Sequence, residues 1–415
     1  MSDSSGSNYS SDDIDSGSSY DFIGELLNKK YIPVYKLGYG SFATVWLSLN
    51  MTSNKFYAIK VQNANDYDAG LLEMDYLKKF TKDKSPFMNT MIEHFEHDAE
   101  GDIYVCMVFE LMAGSVFDIM QVGKLSKGLP LSSVKKIVHV LVNGLHTLNT
   151  KYDTLYSDVK PDNILIKGMN NKVKKIITLI QSNKQFSEKI SKIKTTKNPN
   201  KLLSSLKKIL YDINIKNITD EYNNEHNGRD DNLVFVDDQY VDSKNIKPIL
   251  SDFGTCKPAK YEKHDLQTRY YRAPEMILEY NFNVNCDMWS VGCVIYELLT
   301  GDFLFDPDKT AKLSRDRYHL YDMVSVLGPV PQELIEKSKK RNVFFRHNSL
   351  LKGVDNIDYE LLHVKLCREL NGRADINPTE LCLTLDLLYK LLNYDPFKRL
   401  SPQKCLEHAW FNGMK

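Results

Sequence analysis

The sequence has no run of about 18 apolar residues, so no segment is expected to span a bilayer. It has no excess of either charge. Its 54 Lys and Arg balance 54 Asp and Glu, so no overall field draws it to nucleic acid or to a membrane surface. Its seven cysteines are scattered, odd in number and without a CxxC pair, which excludes a disulfide framework and points to reduced thiols. The opening MSDSSGSNYSSDD has neither the basic nor the apolar stretch of a signal peptide. These absences lead us to expect an intracellular protein, cytosolic or nuclear, without a membrane partner.

What is there suffices for a large core: 415 residues, 42% apolar and 26% charged. Residues 1–20 are mostly Ser, Asp and Gly and read as a disordered acidic tail, because they bury too little apolar surface to offset the entropy of ordering. From residue 31 to 61, YIPVYKLG, ATVWLSL and KFYAIKV read as strands separated by turns. Residues 68–80 predict a helix and residues 103–110 a buried strand. From Leu131 onward the apolar spacing is helical, in SSVKKIVHVLVNGLHTL, NVNCDMWSVGCVIYELLTG, LCLTLDLLYKLLN and SPQKCLEHAWF. The expected class is α+β, with a small β-rich lobe over 31–110 and a large helical lobe over 113–411.

Residues 168–246 interrupt the second lobe. Between Asn171 and Asp220 there are twelve Lys and three acids. Residues 201–213 carry apolar positions at 202, 203, 206, 209, 210 and 213, an amphipathic helix. The stretch 222–232, YNNEHNGRDDN, reads as a flexible loop. The segment is expected to be a solvated basic insert with a partner that the sequence does not identify. Charge runs are usually solvated faces, and no nucleic acid is expected on it.

Four motifs carry chemistry. The first, Gly38-Tyr39-Gly40-Ser41-Phe42-Ala43, lies between two strands, which suits a hairpin covering phosphates and not a dinucleotide fold. Glycine lets backbone amides approach phosphate oxygens unobstructed. The second is Tyr57-Ala58-Ile59-Lys60. A lysine inside an apolar strand needs a partner, and Glu73, on the next helix with Leu77 on the same face, is the expected one, with Asp75 a weaker candidate.

The third motif is Tyr156-Ser157-Asp158-Val159-Lys160-Pro161-Asp162-Asn163. Asp158 can take the proton of an attacking hydroxyl, Lys160 can neutralise the moving phosphoryl group, and Asn163 offers an amide oxygen to Mg²⁺. The fourth is Ser251-Asp252-Phe253-Gly254, in which Asp252 would hold Mg²⁺ and Phe253 would pack beneath the helix bearing Glu73. Arg272-Ala273-Pro274-Glu275 closes the segment that follows. Glu275 is expected to be buried against Arg399.

On these residues the chain resembles the eukaryotic protein kinases over residues 31 to 411. Within them TRYYRAPE (268–275) is similar to the CMGC group. GELLNKKYIPVYKLGYGSFATVWLSLN, GLPLSSVKKI, QTRYYR and GDFLFDP resemble the SR-protein kinases. The resemblance implies a bilobal protein kinase fold with a long insert before the DFG motif. It implies Mg²⁺ and ATP in the cleft, walled by Leu37, Gly38–Val45 including Thr44, Ala58 and Leu165, with Glu110 and Met112 at a hinge. It also implies a Ser/Thr acceptor on protein substrates, Arg/Ser-rich ones among them, with Thr268 against Asp158 and Lys160.

Two departures stand out. Tyr156-Ser157 replaces the usual His-Arg, so an arginine that would pair with an activating phosphate is missing. Activity without such phosphorylation is expected. The stretch SRDRYHLYD (314–322) has Arg317 and Tyr318 where acids would dock arginine-rich peptides, leaving Asp316 and Asp322. A competing reading, a pseudokinase scaffold that binds partners through the insert, rests on Tyr156, Ser157 and Ala43. The survival of Lys60, Asp158, Asn163 and Asp252 stands against it.

Overall fold

The structure, a computed structural model, describes residues 20–121, 123–226, 245–308, 313–347 and 349–413. The chain first builds an antiparallel sheet from β1 (Tyr31–Tyr39), β2 (Ala43–Asn50), β3 (Lys55–Gln62), β4 (Glu93–Ala99) and β5 (Asp102–Phe109), in the order β1-β2-β3-β5-β4. Side chains alternate between the faces of a strand. Val45 therefore turns toward the lower face and Trp46, 3% exposed, toward the upper. One helix, α1 (Tyr67–Asp83), crosses the sheet and buries Leu77 and Phe80.

Leaving the sheet at Phe109, the chain forms β6 (Met112–Ser115) and α2 (Val116–Met120), then the long helix α3 (Leu131–Lys151). The short β7 (Thr154–Leu155) precedes β8 (Ile164–Lys167). Three helices follow: α4 (Asn171–Ser182), α5 (Lys184–Thr195) and α6 (Asn200–His226). The chain then returns as β9 (Pro248–Leu250), which pairs antiparallel with β8, Ile164 opposite Leu250. The insert is thus an excursion between two neighbouring strands, which fixes both of its ends at the cleft floor.

After β10 (Lys257–Pro258) come α7 (Pro274–Leu278), α8 (Cys286–Thr300) and α9 (Arg315–Leu327), with further helical pieces to residue 411. Every residue of α8 is buried, which is why its sequence is apolar all round. The helix stops at Gly301, whose φ of 85° is left-handed, and a Cβ there would lie 1.9 Å from the Ser126 carbonyl oxygen. Only glycine fits that position.

Two expectations are corrected here. The insert is not a solvated segment. Val173, Ile176 and Ile180 of α4, Phe186, Ile190 and Ile193 of α5, and Leu206 and Leu210 of α6 share one buried cluster with Tyr31, Ile32 and Trp46 of the sheet. Each helix places its apolar residues three and four apart, so one stripe packs on the sheet while the lysines stay outside. Asn170 and Asn183 start α4 and α5 by accepting the Val173 and Phe186 amides. Residues 222–226, expected as loop, continue α6, whereas 227–232 lie outside the described residues.

The second correction concerns the leader. Residues 1–19 lie outside the described residues, but Tyr20 belongs to the fold, its ring 4.8 Å from that of Phe22. Phe22 and Leu27 are 2% and 0% exposed. Lys207 of α6 donates to the Asp21 carbonyl at 3.2 Å. The apolar side chains of Phe22, Ile23 and Leu27 supply the burial that the preceding Ser/Asp stretch lacks.

Candidate active site

A cavity of about 380 Å³ separates the sheet from the helical lobe. Leu37, Gly38, Val45 and Ala58 form its roof, Leu165 lies in its lining, and Phe109, Glu110 and Met112 pass along it where the chain moves between lobes. The loop between β1 and β2 closes on itself through the Gly40 amide, which donates to the Ala43 carbonyl at 2.9 Å. A Cβ at Gly38 or Gly40 would meet nothing within 4 Å, so the space beside this backbone is open to a ligand. Tyr39, Gly40, Ser41, Phe42, Ala43 and Thr44 do not line the cavity. Tyr39 and Phe42 are 80% and 60% exposed, and Thr44 alternates onto the face away from Val45.

Lys60 lies on β3 and reaches the cavity. Its Nζ donates to both carboxylate oxygens of Glu73 at 2.8 Å and to Asp252 Oδ1 at 3.0 Å. Burial pulls the ammonium down, but the Glu73 and Asp252 carboxylates outweigh it and hold Lys60 above its ordinary value. Asp75, the other candidate, is exposed and pairs with Lys78 on its own helix. Burial pushes the Asp252 carboxyl up, yet Lys60 and the Gly254 amide bring it below the usual carboxylate range.

On the other wall, Asn163 Nδ2 donates to the Asp158 carbonyl and to Asp158 Oδ2, each at 2.9 Å. The Asn163 carbonyl accepts the Ser251 amide at 2.9 Å. One asparagine thereby ties the loop of Asp158 to the segment of Asp252. Thr268 Oγ1 donates to Asp158 Oδ1 at 2.6 Å, and Lys160 Nζ reaches Asp158 Oδ2 at 2.8 Å and Thr268 Oγ1 at 3.5 Å. Phe253 packs edge-on against Phe80 of α1, 5.0 Å between centroids, and Tyr156 packs edge-on beneath it at 6.0 Å. Glu275 and Arg399 form a bidentate pair at 2.6 and 2.9 Å, both side chains 0% exposed. Arg272 donates twice to the Gln267 carbonyl.

Some residues that shape the site were not singled out in the sequence. Asp287, in the apolar run of α8, accepts the Tyr156 and Ser157 amides at 2.9 Å each. Ser157 holds a left-handed φ of 69° and Asp252 one of 56°, conformations that persist only when surrounding bonds enforce them. Burial pushes the Asp287 carboxyl up to about 7 despite those two amides. A lone acid in an apolar helix was the available signal, since such a charge needs a partner. Leu77, Asn89, Gly114, Asp118, Asp162, Asn170 and Val173 also line the cavity. In the stretch SRDRYHLYD, Asp316 is taken by Arg269 at 2.6 Å.

The donor set around Asn163 and Asp252 is all oxygen, and the amide nitrogen of Asn163 is turned to Asp158, which leaves its oxygen on the other side. Such a set fits a hard cation such as Mg²⁺. Among the described residues no helix is long and apolar enough to cross a membrane.

The family model described as Protein kinase domain matches residues 31–199 and 229–411. A protein of Acanthamoeba polyphaga mimivirus, named as a serine/threonine-protein kinase, is 29% identical over 94% of this chain and 88% of its own length. Serine/threonine-protein kinase SRPK of Physarum polycephalum is 28% identical over 94% of this chain and 87% of its own. SRSF protein kinase 3 of Mus musculus is 24% identical over 94% and 88%. With the motifs gathered around one cleft and the domain model matching residues 31–199 and 229–411, the chain belongs to the protein kinase family.

Proposed function

We propose that this chain is a serine/threonine protein kinase of the SR-protein-kinase kind, transferring the γ-phosphate of ATP to hydroxyls of protein substrates. The observation that carries the reading is the cluster of Asp158, Lys160 and Thr268, tied through Asn163 to the segment bearing Asp252. Asp158 accepts the proton of the substrate hydroxyl as its oxygen bonds to the γ-phosphorus. The bond from that phosphorus to the bridging oxygen breaks, and ADP leaves with the electron pair. Lys160 offsets the charge on the moving group.

Lys60, held by Glu73, anchors the nucleotide's phosphates, and the Gly38–Ala43 backbone covers them. The adenine lies between the roof of Leu37, Val45 and Ala58 and the side chain of Leu165, against the Glu110–Met112 backbone. Asp252 and Asn163 are the residues that would hold Mg²⁺, which when bound neutralises phosphate charge. The lobes are taken as residues 31–110 and 113–411. The reading includes activity without phosphorylation of the segment from Asp252 to Glu275.

The resemblance to the SR-protein kinases makes Arg/Ser-rich proteins the first substrates to try. The test is phosphate transfer from labelled ATP to an Arg/Ser-rich protein and to a basic control protein. Wild type should label at least one of them and Asp158→Ala neither. Equal labelling by both enzymes rejects the assignment.

A further inference from the structure

The insert reaches into the cleft. Val173, on the first turn of α4, and Asn170, which starts that helix, line the same cavity as Leu165, Met112 and Gly114. The two residues are coupled. Asn170 Oδ1 accepts the Val173 amide at 2.8 Å, while Asn170 Nδ2 donates to the Ala113 carbonyl at 2.9 Å, on the strand that leaves the hinge. Asn170 is 7% exposed and Val173 5%. A single side chain therefore caps the insert's first helix and straps it to the hinge strand, and that cap points Val173 inward.

The helix is also anchored from behind. Ile176 and Ile180 sit in the cluster that joins the insert to the sheet, together with Leu206 of α6. Asn214 of α6 donates to the Val34 carbonyl of β1 at 3.2 Å. The wall that Val173 contributes is thus braced against the same sheet that roofs the cavity. A wall held on two sides costs little ordering when a ligand arrives.

We infer that the insert is a wall of the nucleotide site, with Val173 in apolar contact with bound nucleotide and Asn170 positioning it from the hinge. This rests on the reading of the cleft as the ATP site. It assigns the insert a part in binding that is independent of any partner on its lysine face.

The test uses the full chain and calorimetric titration with Mg·ATP and Mg·ADP. Val173→Ala removes the apolar contact, and the Kd for both nucleotides should rise about fivefold. Asn170→Asp keeps an acceptor for the helix amide but loses the donor to Ala113, and it should raise Kd in the same direction. Ile190→Ala opens the same buried cluster from α5, away from α4 and from the cavity lining. It should lower the melting temperature while Kd stays within about twofold of wild type, a difference under about 0.4 kcal/mol. Equal weakening by Val173→Ala and Ile190→Ala would show that the insert acts only through the fold and would overturn the inference. An unchanged Kd in Val173→Ala would overturn it as well. A wild-type chain that binds neither nucleotide would overturn the ATP-site reading itself, which the other outcomes leave intact.

Discussion

Thr268 places its hydroxyl 2.6 Å from Asp158 Oδ1, so a residue 110 positions away donates to the carboxylate proposed to take the substrate's proton. Lys160 closes the triangle from the other oxygen. The carboxylate is thereby held in one orientation before any substrate arrives, and such preorganisation is a principal source of catalytic rate.

Replacing Thr268 by Ala removes a hydrogen bond to a charged acceptor, worth about 1.5–3 kcal/mol. The expected result is a fall in kcat of about tenfold to a hundredfold, measured in a steady-state assay with saturating ATP and peptide. Thr268→Ser keeps the hydroxyl and should stay within about threefold of wild type, under 1 kcal/mol. Equal losses in both variants would mean that the hydroxyl is not what matters.

Besides the ion pairs of Asp252, Arg269 and Glu275, neutral bonds hold the segment from Asp252 to Glu275. Ser157 Oγ donates to the Thr255 carbonyl at 2.8 Å, and Thr255 Oγ1 donates to the Tyr156 carbonyl at 3.3 Å. β10 pairs with β7, and Gln267 donates to the Cys286 carbonyl and accepts the Ala273 amide, both at 2.9 Å. Arg272 is spent on the Gln267 carbonyl. Enzyme treated with phosphatase, and shown by mass spectrometry to carry no phosphate, should therefore keep full kcat. Inert enzyme that recovers only after treatment by another kinase would refute this.

Much of this site could be read from the sequence because its residues are bound to short motifs whose spacing is set by backbone geometry. Asp158 and Asn163 are five apart on one loop, and Asp252 stands two residues before Gly254, whose amide it accepts. Lys60 needed a partner once it stood inside a strand, and helical spacing named Glu73. What could not be read is what long-range packing decides. The stripe of Val173, Ile176 and Ile180 was present, but nothing local says which surface receives it, and the surrounding lysines suggested solvent. β4 escaped notice because EHFEHDA is mostly polar, an edge strand whose exposed positions alternate with partly buried ones. Asp287 looked like part of an apolar helix because its partners are backbone amides 130 and 131 residues away.

Glu297 of α8 makes a pH prediction. It is 4% exposed and accepts the Tyr271 hydroxyl at 2.8 Å, with Asp162 nearby. Burial pushes its carboxyl from an ordinary 4.5 up to about 8, with Asp162 adding to the rise and the Tyr271 bond opposing it. The folded state thus holds a proton that the unfolded chain releases near 4.5. Its contribution is fully present below that pH and is lost as pH rises toward about 8. Glu297→Gln keeps an acceptor for Tyr271 and cannot ionise. Thermal unfolding of the two proteins at pH 6 and pH 8.5 should show the variant gaining on wild type at the higher pH, by roughly 1–3 kcal/mol. Parallel pH profiles would refute the assignment.

The Glu275–Arg399 pair is fully enclosed, and its neighbours complete the bonding. Arg399 also donates to the Asn393 and Asn285 carbonyls at 2.9–3.0 Å and lies over the Trp289 ring, 5.3 Å from its centroid. Burial alone would pull the guanidinium down, but Glu275 holds it above its ordinary value. Removing one partner leaves the other charge buried and alone, so Arg399→Ala should destabilise the helical lobe by about 3–5 kcal/mol. Denaturant unfolding should show this as a lower midpoint with an unchanged slope. Replacing both residues by apolar side chains of similar size removes the orphaned charge, so Glu275→Leu with Arg399→Met should recover part of the loss. If the double variant were as unstable as the sum of the two single changes, the cost would lie in packing and not in the unpaired charge.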